Sequence, residues 1–355
     1  MLTEPHVFPR EAPPGYSYLD DEPPFEPAKD LRLEPPKTLT ELAELGYDED
    51  FGADYPSPLA ITSPLRVLSD SGVEKLRYVI KRLWPYAIHS PDPRVAPVIK
   101  GAAYRSRFVR DLSLSPEVAE FLGECAGTPL VPSAFPFKLG HINYAHCGEG
   151  EEPVDGWHHD DNGFVMVLTV HDQSHLEGGR FQYFDGTRQE ASALLGRGLP
   201  LPEGRVVSPE FPGPGYAVLM QGSALVHRTE PMYAPGERFT MGTCYEARDV
   251  RYPDPNRTYF VRQTADSQNA ESEDERFCRY LDYARHKAWR ARGHLDDFIN
   301  DAVWTDDREA IVRQLAEAVR EIVEAVDHLR RGEISEREVR RLRAADEARR
   351  KRRVN

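Results

Sequence analysis

Long apolar runs are missing from this sequence of 355 residues. None approaches the roughly 20 residues that a membrane helix needs, so no membrane partner is expected. Cysteine is scarce. Cys125, Cys147, Cys244 and Cys278 stand far apart and form no Cys-x-x-Cys pair. That spacing argues against a zinc knuckle and a disulfide framework, and leaves buried free thiols. Basic residues are outnumbered, 45 Lys and Arg against 59 Asp and Glu, for a formal net charge of −14. Affinity for phosphate backbones rests on clustered Lys and Arg, so a nucleic-acid partner is not expected. The N-terminus lacks a basic segment followed by an apolar core, so no secretory signal is read and a cytoplasmic location is expected. No internal repeat is found.

What is present suits a globular protein, with 40% hydrophobic and 29% charged residues. The length fits one large domain with additions, or two domains. Residues 1–36 carry the pairs Pro13-Pro14, Pro23-Pro24 and Pro35-Pro36, which forbid a regular helix or central strand. With the short helix expected over Leu39–Leu45, they make a Pro-rich arm spanning 1–60. Residues 64–84 read as helical in two pieces, with Val73, Leu76, Val79, Ile80 and Leu83 in one stripe. Ser115-Pro116-Glu117 opens a second helix that stops near Gly127.

From residue 129 the pattern changes to short apolar runs broken by Gly and Pro. Strands are expected at Phe137–His146, Phe164–Val170, Arg180–Phe184, Tyr216–Met220, Ala224–His227 and Arg238–Tyr245, with 191–214 as a long loop. This pattern suggests a sandwich or barrel. After residue 270 helices return, at Arg276–Ala291 and Asp306–Arg330. The second carries Ile311, Leu315, Ala318, Ile322, Val326 and Leu329 three or four apart, with Thr305 as its cap. It is expected to pack on its own chain, with pairing in a homodimer as the other use. The Arg-rich tail after Arg337 reads as a solvated helix end. These readings divide the chain into 1–60, 61–250 and 251–355.

The most chemically loaded stretch is Trp157-His-His-Asp-Asp-Asn-Gly-Phe164, which runs straight into an apolar strand. Alternate side chains of extended backbone share a face, so His158 and Asp160 lie together. His159 and Asp161 have the same spacing, and spacing alone does not choose between the pairs. An imidazole and a carboxylate on one face are two thirds of a facial iron site. A polar loop before a strand is the plainer reading. Further on, an apolar strand ends in His227, and Arg238 follows eleven residues later. In a strand, Arg238, Thr240 and Gly242 share a face. The Arg238 guanidinium offers a fork for a carboxylate, Thr240 adds a hydroxyl, and Gly242 leaves space. An arginine turned into a barrel is costly unless paired, which implies a bound anion or an internal acid.

In order along residues 137–247 come Trp157-His158-x-Asp160, Glu177-Gly178-Gly179-Arg180-Phe181, Gly215-x-Ala-Val-Leu219, Gly222-Ser223, His227-Arg228 and Arg238-x-Thr240. This set resembles the Fe(II)/2-oxoglutarate-dependent dioxygenase superfamily. The resemblance implies a mainly β fold: a double-stranded β-helix (jelly-roll) core, bracing helices on its N-terminal side and a C-terminal helical extension. It implies Fe(II) on His158, Asp160 and His227, with His159/Asp161 as the other register. It implies 2-oxoglutarate as cosubstrate, its far carboxylate on Arg238 and Thr240, and O2 as co-reactant. Tyr144, in the strand before the triad, is expected to touch the cosubstrate, with His146 on the same face. His141, His171 and His175 read as ordinary surface or strand-end residues. Asp161 and Asn162 at the rim are candidate substrate contacts, although turn formation explains them too.

Arg105, in the loop Tyr104–Asp111, is a further candidate for an anionic substrate group, against the plainer reading of a solvated loop. The acidic segment Gly148–Asp155 argues the other way. The implied reaction is hydroxylation, desaturation or oxidative cyclisation of a small molecule such as an amino acid or biosynthetic intermediate. Halogenases of the superfamily replace the acid with a small residue, and Asp160 is present. The competing readings are a 2-oxoglutarate-independent iron oxidase, a cupin-type metal enzyme, whose His-x-His pair is missing, and a metal-free jelly-roll binding protein.

Overall fold

The computed structural model describes residues 8–48, 54–88, 96–147, 154–258, 273–301, 304 and 307–331. Its strands, in chain order, are β1 Leu31–Glu34, β2 Leu39–Glu41, β3 Leu59–Thr62, β4 Leu65–Leu68, β5 Val98–Ile99, β6 Leu130–Pro132 and β7 His141–Cys147. Then follow β8 Asp155–His158, β9 Phe164–Thr169, β10 Phe181–Phe184, β11 Val206–Val207, β12 Tyr216–Met220, β13 His227–Thr229 and β14 Gly236–Ala247. They form two antiparallel sheets. The larger runs β1-β4-β12-β9-β14-β7-β5, with β2, β3 and β6 joined at its sides; the smaller runs β11-β10-β13-β8.

The larger sheet is covered on both faces, and its central strand shows why. Phe164–Thr169 is nearly continuously buried. Met166 and Leu168 join Phe239, Met241, Ile142 and Tyr144 in a core shared with the N-terminal helices. Val165 points the other way and joins Val218, Met220 and Cys244 against Phe181 and Tyr183 of the smaller sheet. A strand buried on both sides reads as an unbroken apolar run, because both of its alternating faces meet protein.

The bracing helices are α2 Asp70–Leu83, α3 Arg107–Ser113 and α4 Pro116–Ala126, after a short α1 at Pro27–Asp30. Ser69, Ser106 and Ser115 each accept a hydrogen bond from a backbone N–H of the first turn. Helix α2 buries Val73, Leu76, Val79, Ile80 and Leu83, the expected stripe. Gly127 ends α4 in the left-handed region.

Several expectations are corrected here. Residues 31–62 are not a separate arm: β1, β2 and β3 belong to the larger sheet, with β1 at its edge. Leu39–Leu45 begins as a strand and continues as turns. Leu65–Leu68, read as helix, is β4 paired with β12. Residues 104–111, read as a loop, contain the start of α3. Within the expected long loop lie the end of α5, Arg188–Leu195, and β11. Strand β13 starts at His227, where 224–227 was expected.

The C-terminal part is a helical pair, α6 Glu273–Asp301 and α7 Arg308–Arg331. It packs on its own chain, but of the expected stripe only Ala318 is buried. Ala318, Glu321 and Ala325 of α7 are buried, while Leu315, Ile322, Val326 and Leu329 are exposed. Small residues let α7 approach α6 closely and ion pairs fill the seam. Cys125 is half-buried, and Cys147 and Cys244 are buried. Thr305, the side chain of Cys278, most of the acidic segment and the Arg-rich tail lie outside the described residues.

Candidate metal centre

Strand pairing in the smaller sheet builds the site. In β8 and β13, His158 and His227 are direct cross-strand partners. Their rings lie with centroids 4.3 Å apart. Each Nδ1 faces a backbone carbonyl two residues back, Gly156 O at 2.7 Å for His158 and Leu225 O at 3.1 Å for His227. A carbonyl only accepts, so Nδ1 is the donor in each ring and Nε2 is the atom turned toward the site. Those Nε2 atoms converge on one carboxylate: His158 Nε2 is 3.6 Å from Asp160 Oδ1, and His227 Nε2 is 3.7 Å from Asp160 Oδ2.

Asp160 is held by its backbone as well as by its charge. Its N–H donates to Gly222 O at 2.9 Å, and Gly222 N–H donates to Gly163 O at 3.0 Å. A Cβ on Gly222 would fall 2.8 Å from Asp160 Oδ2, so only glycine leaves the carboxylate its place. Burial works to raise the Asp160 pKa, but His227 and His158 outweigh it and hold the carboxyl below its ordinary value. Burial pushes His227 down to about 4, which keeps its imidazole neutral. Among the described residues, His158, Asp160 and His227 are the one group whose ligand atoms all come within 4.8 Å of one another. His159 and Asp161 are not part of it.

The second element is Arg238. It is 1% exposed, and its Nη1 donates to Thr240 Oγ1 at 3.3 Å. Its Nε has no hydrogen-bond partner. No ion pair joins it to an acid among the described residues. Burial lowers its pKa to about 10, with only the charge of Asp155 opposing. Gly179, in the left-handed region, packs its backbone on the arginine stem, where a Cβ would lie 3.2 Å from Arg238 Cδ. The fold thus buries a guanidinium and leaves part of its fork unused.

Two expected contacts fall elsewhere. Tyr144 pairs with Phe239 in the β7–β14 register, while Arg238 pairs with Ala145 and Thr240 with Asn143. Side chains alternate, so Tyr144 faces away from Arg238. Its hydroxyl donates to Ile80 O and its ring packs on Trp84 and Phe239. His146, on that face too, is exposed near Glu237. Arg105 stacks between Tyr16 and Tyr86, at 4.1 and 4.0 Å from their centroids, and does not line the cavity beside the triad.

Sequence reasoning missed His141. It pairs with Gly242, and a Cβ on that glycine would fall 2.2 Å from the His141 ring. The imidazole therefore lies over Gly242, on the face shared by Arg238 and Thr240. Burial brings its pKa down to about 4. The signal was in the sequence: a glycine two residues beyond Thr240 marks where a ring crosses the strand.

Beside Asp160 a cavity of about 590 Å³ opens toward the C-terminal helices. Asp161, Arg188, Gln221 and Ser223 line one side, Asp254 and Lys287 the other. Asn162 is buried beside the cavity loop, donating from Nδ2 to Cys244 Sγ at 2.7 Å. Lys138, also missed, ties the two sides together. Its Nζ donates to Asp161 O at 2.8 Å and to Asn256 Oδ1 at 2.6 Å. Asn256 donates to Glu246 and Asp254, and Asp254 accepts from Lys287 at 2.7 Å.

A family model described as Halogenase D matches residues 92–258, the segment that holds the triad and Arg238. That match spans 167 of the 355 residues, a little under half of the chain. No curated protein sequence matches it. Among solved structures, the 2-oxoglutarate-dependent carbocyclase SnoK from nogalamycin biosynthesis is 17% identical, covering 60% of this chain and 88% of that one at a TM-score of 0.40. AviO1 from Streptomyces viridochromogenes Tue57 is 18% identical, covering 61% and 98% at a TM-score of 0.40. HygX from Streptomyces hygroscopicus, solved with nickel, 2-oxoglutarate and hygromycin B, is 18% identical, covering 52% and 83% at 0.36. At these scores the likenesses add nothing to what the triad and the matched family carry.

Proposed function

We propose that this chain is an oxygenase that couples oxidative decarboxylation of 2-oxoglutarate to hydroxylation, desaturation or oxidative cyclisation of a small molecule. The observation that carries the reading is the pairing of a convergent His158–Asp160–His227 set with a buried Arg238 that no acid neutralises. Two imidazoles and a carboxylate on one side suit Fe(II) and leave its other positions open. An unpaired buried guanidinium suits a diacid whose far carboxylate completes its hydrogen bonds. The two antiparallel sheets sharing one apolar interior support a jelly-roll core.

When bound, Fe(II) and 2-oxoglutarate supply, with O2, the oxidising power for a substrate C–H bond while 2-oxoglutarate becomes succinate and CO2. The residues of the chain do the rest. The carbonyls of Gly156 and Leu225 fix the imidazole tautomers that present Nε2 inward. Arg238 and Thr240 anchor the cosubstrate at the end far from the metal. Phe181, with its ring 5.8 Å from that of His227, limits water on that flank. The cavity lined by Asp161 and Ser223 receives the substrate beside Asp160.

Asp160 also bears on reaction type. Its carboxylate fills the space that Gly222 leaves, so a chloride has no vacated position to enter. This favours oxygenation or desaturation over halogen transfer, although the matched family carries a halogenase description.

The test is anaerobic addition of Fe(II) and then 2-oxoglutarate to the purified chain. The expected result is one retained iron per chain and a weak visible charge-transfer band that saturates with 2-oxoglutarate. Retained iron with no response to 2-oxoglutarate would point to an iron oxidase that does not use it. No retained metal would leave a binding protein.

A further inference from the structure

The cavity beside Asp160 contains two polar groups that the metal and cosubstrate sites do not use. Gln221 is 1% exposed and lines the cavity. Its Nε2 donates to two carbonyls, Leu59 O at 2.7 Å and Ser57 O at 3.2 Å. Those acceptors fix the orientation of the amide, since a flipped oxygen would face carbonyl oxygens. The Oε1 is left buried with no partner. A buried acceptor without a donor costs about 1–3 kcal/mol, which a ligand that supplies the donor would recover.

Arg188 is the second. It stands in the first turn of α5 and lines the same cavity. Its Nη1 donates to Ser223 O at 2.8 Å, and its backbone N–H donates to Tyr47 Oη at 2.9 Å. No ion pair joins its half-buried guanidinium to an acid among the described residues. Both groups border the metal ligand through one short segment: Gln221 and Ser223 flank Gly222, whose carbonyl accepts from Asp160 N–H. Other cavity cations are neutralised. Lys287 and Arg290 pair with Asp254 and Glu321, and Arg251 pairs with Asp249.

We propose that Arg188 and Gln221 form the recognition subsite for the substrate, Arg188 taking a carboxylate and Gln221 Oε1 accepting from a hydroxyl or amine on the same small molecule. The inference rests on the proposed 2-oxoglutarate-dependent reaction. It assigns the specificity of that reaction to residues on the β12–β13 turn and α5, away from Arg238. The cosubstrate and substrate carboxylates are thereby held by different arginines.

The experiment uses the full chain loaded with Fe(II) and 2-oxoglutarate. The probes are a panel of small hydroxy- and amino-carboxylic acids, each with its primary amide and with the analogue lacking the hydroxyl or amine. Succinate release above the substrate-free rate is measured. At least one acid is expected to stimulate release, with KM for its amide and for its donor-free analogue about tenfold or more higher, the scale of a lost charged hydrogen bond. Arg188→Gln should raise KM for the acid by about the same factor, leave KM for the amide unchanged, and preserve the 2-oxoglutarate band. Arg188→Lys should restore part of the loss. Amides as effective as acids, a panel in which no acid stimulates although the band forms, or an unchanged KM in Arg188→Gln would each overturn the assignment. Failure of the band itself would overturn the underlying reading instead.

Discussion

Two of the places that bury basic side chains balance them in opposite ways. In the C-terminal helical pair, Lys287 is 1% exposed and meets Asp254 at 2.7 Å, Glu321 at 2.8 Å and Glu324 at 3.0 Å. Arg290 meets Glu321 at 3.0 Å and donates to the carbonyls of Val250 and Tyr252. Burial would lower both pKa values, but the facing acids outweigh it and raise them. Arg238 is as deeply buried, and the same burial wins because no acid pairs with it among the described residues and only the charge of Asp155 opposes. A paired buried charge is a joint; one with no acid partner is suited to an anionic ligand. The difference separates what fastens the extension to the core from what waits for a ligand.

The comparison can be broken at four points. The largest effect is expected at the metal. Asp160→Ala removes the one carboxylate that both histidines face, and iron retention and succinate release should both be abolished. Full activity would move the acid to Asp161.

Next is the joint. Lys287→Met removes the cation shared by Asp254, Glu321 and Glu324, leaving Arg290 to face Glu321, and should cost about 3–5 kcal/mol of stability, read as a lower denaturant midpoint. The affinity of the surviving folded protein for 2-oxoglutarate should stay within about twofold, because the joint is not the anion site. A loss of affinity as large as that from a change at Arg238 would erase the distinction between the two regions.

A smaller effect follows from pH. Burial tends to raise the Glu321 pKa, but Arg290 and Lys287 bring it down from 4.5 to about 2. A depressed carboxyl contributes stability that is fully present above its unfolded pKa and is lost as pH falls toward the folded one. The midpoint of thermal unfolding should therefore fall between pH 4.5 and about 2, and Glu321→Gln should flatten that dependence. An equal slope in the variant would take Glu321 out of the joint.

The smallest effect is the most diagnostic of the contrast. Arg238→Met removes a buried charge that nothing balances, so the unliganded protein should unfold at the same denaturant concentration as wild type, or higher. Destabilisation comparable to Lys287→Met would mean that Arg238 has a structural partner after all.

Much of the site was legible in the sequence because its parts are local. His158 and Asp160 are two apart in extended backbone, His227 closes the apolar run Ala224–Val226 and opens β13, and Arg238 and Thr240 share a face by alternation. What could not be read depended on pairing across the sheet. Tyr144 sits in the anticipated strand but one residue out of phase with the Arg238 face, and a one-residue shift reverses every side chain. Gly242 was a signal in the sequence, but only the β7–β14 register shows that His141 is the ring opposite it. Strand β4 passed for helix because a short apolar run such as Leu65–Leu68 has no period that decides. The stripe on α7 was read correctly as amphipathic but assigned to the wrong surface. Lys287, Arg290 and Glu321 hold that helix by charge, which hydrophobic periodicity does not report. Lys138 and Asn256, which connect the cavity loop to the joint, lie 118 positions apart.

The central proposal is that Arg238 takes the far carboxylate of 2-oxoglutarate. Anaerobic titration of the Fe(II)-loaded wild type and Arg238→Met with 2-oxoglutarate, followed by the visible band, tests it most directly. The account predicts equal iron content and a dissociation constant about 100-fold or more weaker in the variant, the scale of removing one partner of a buried charge pair. Equal affinities with equal iron would contradict it.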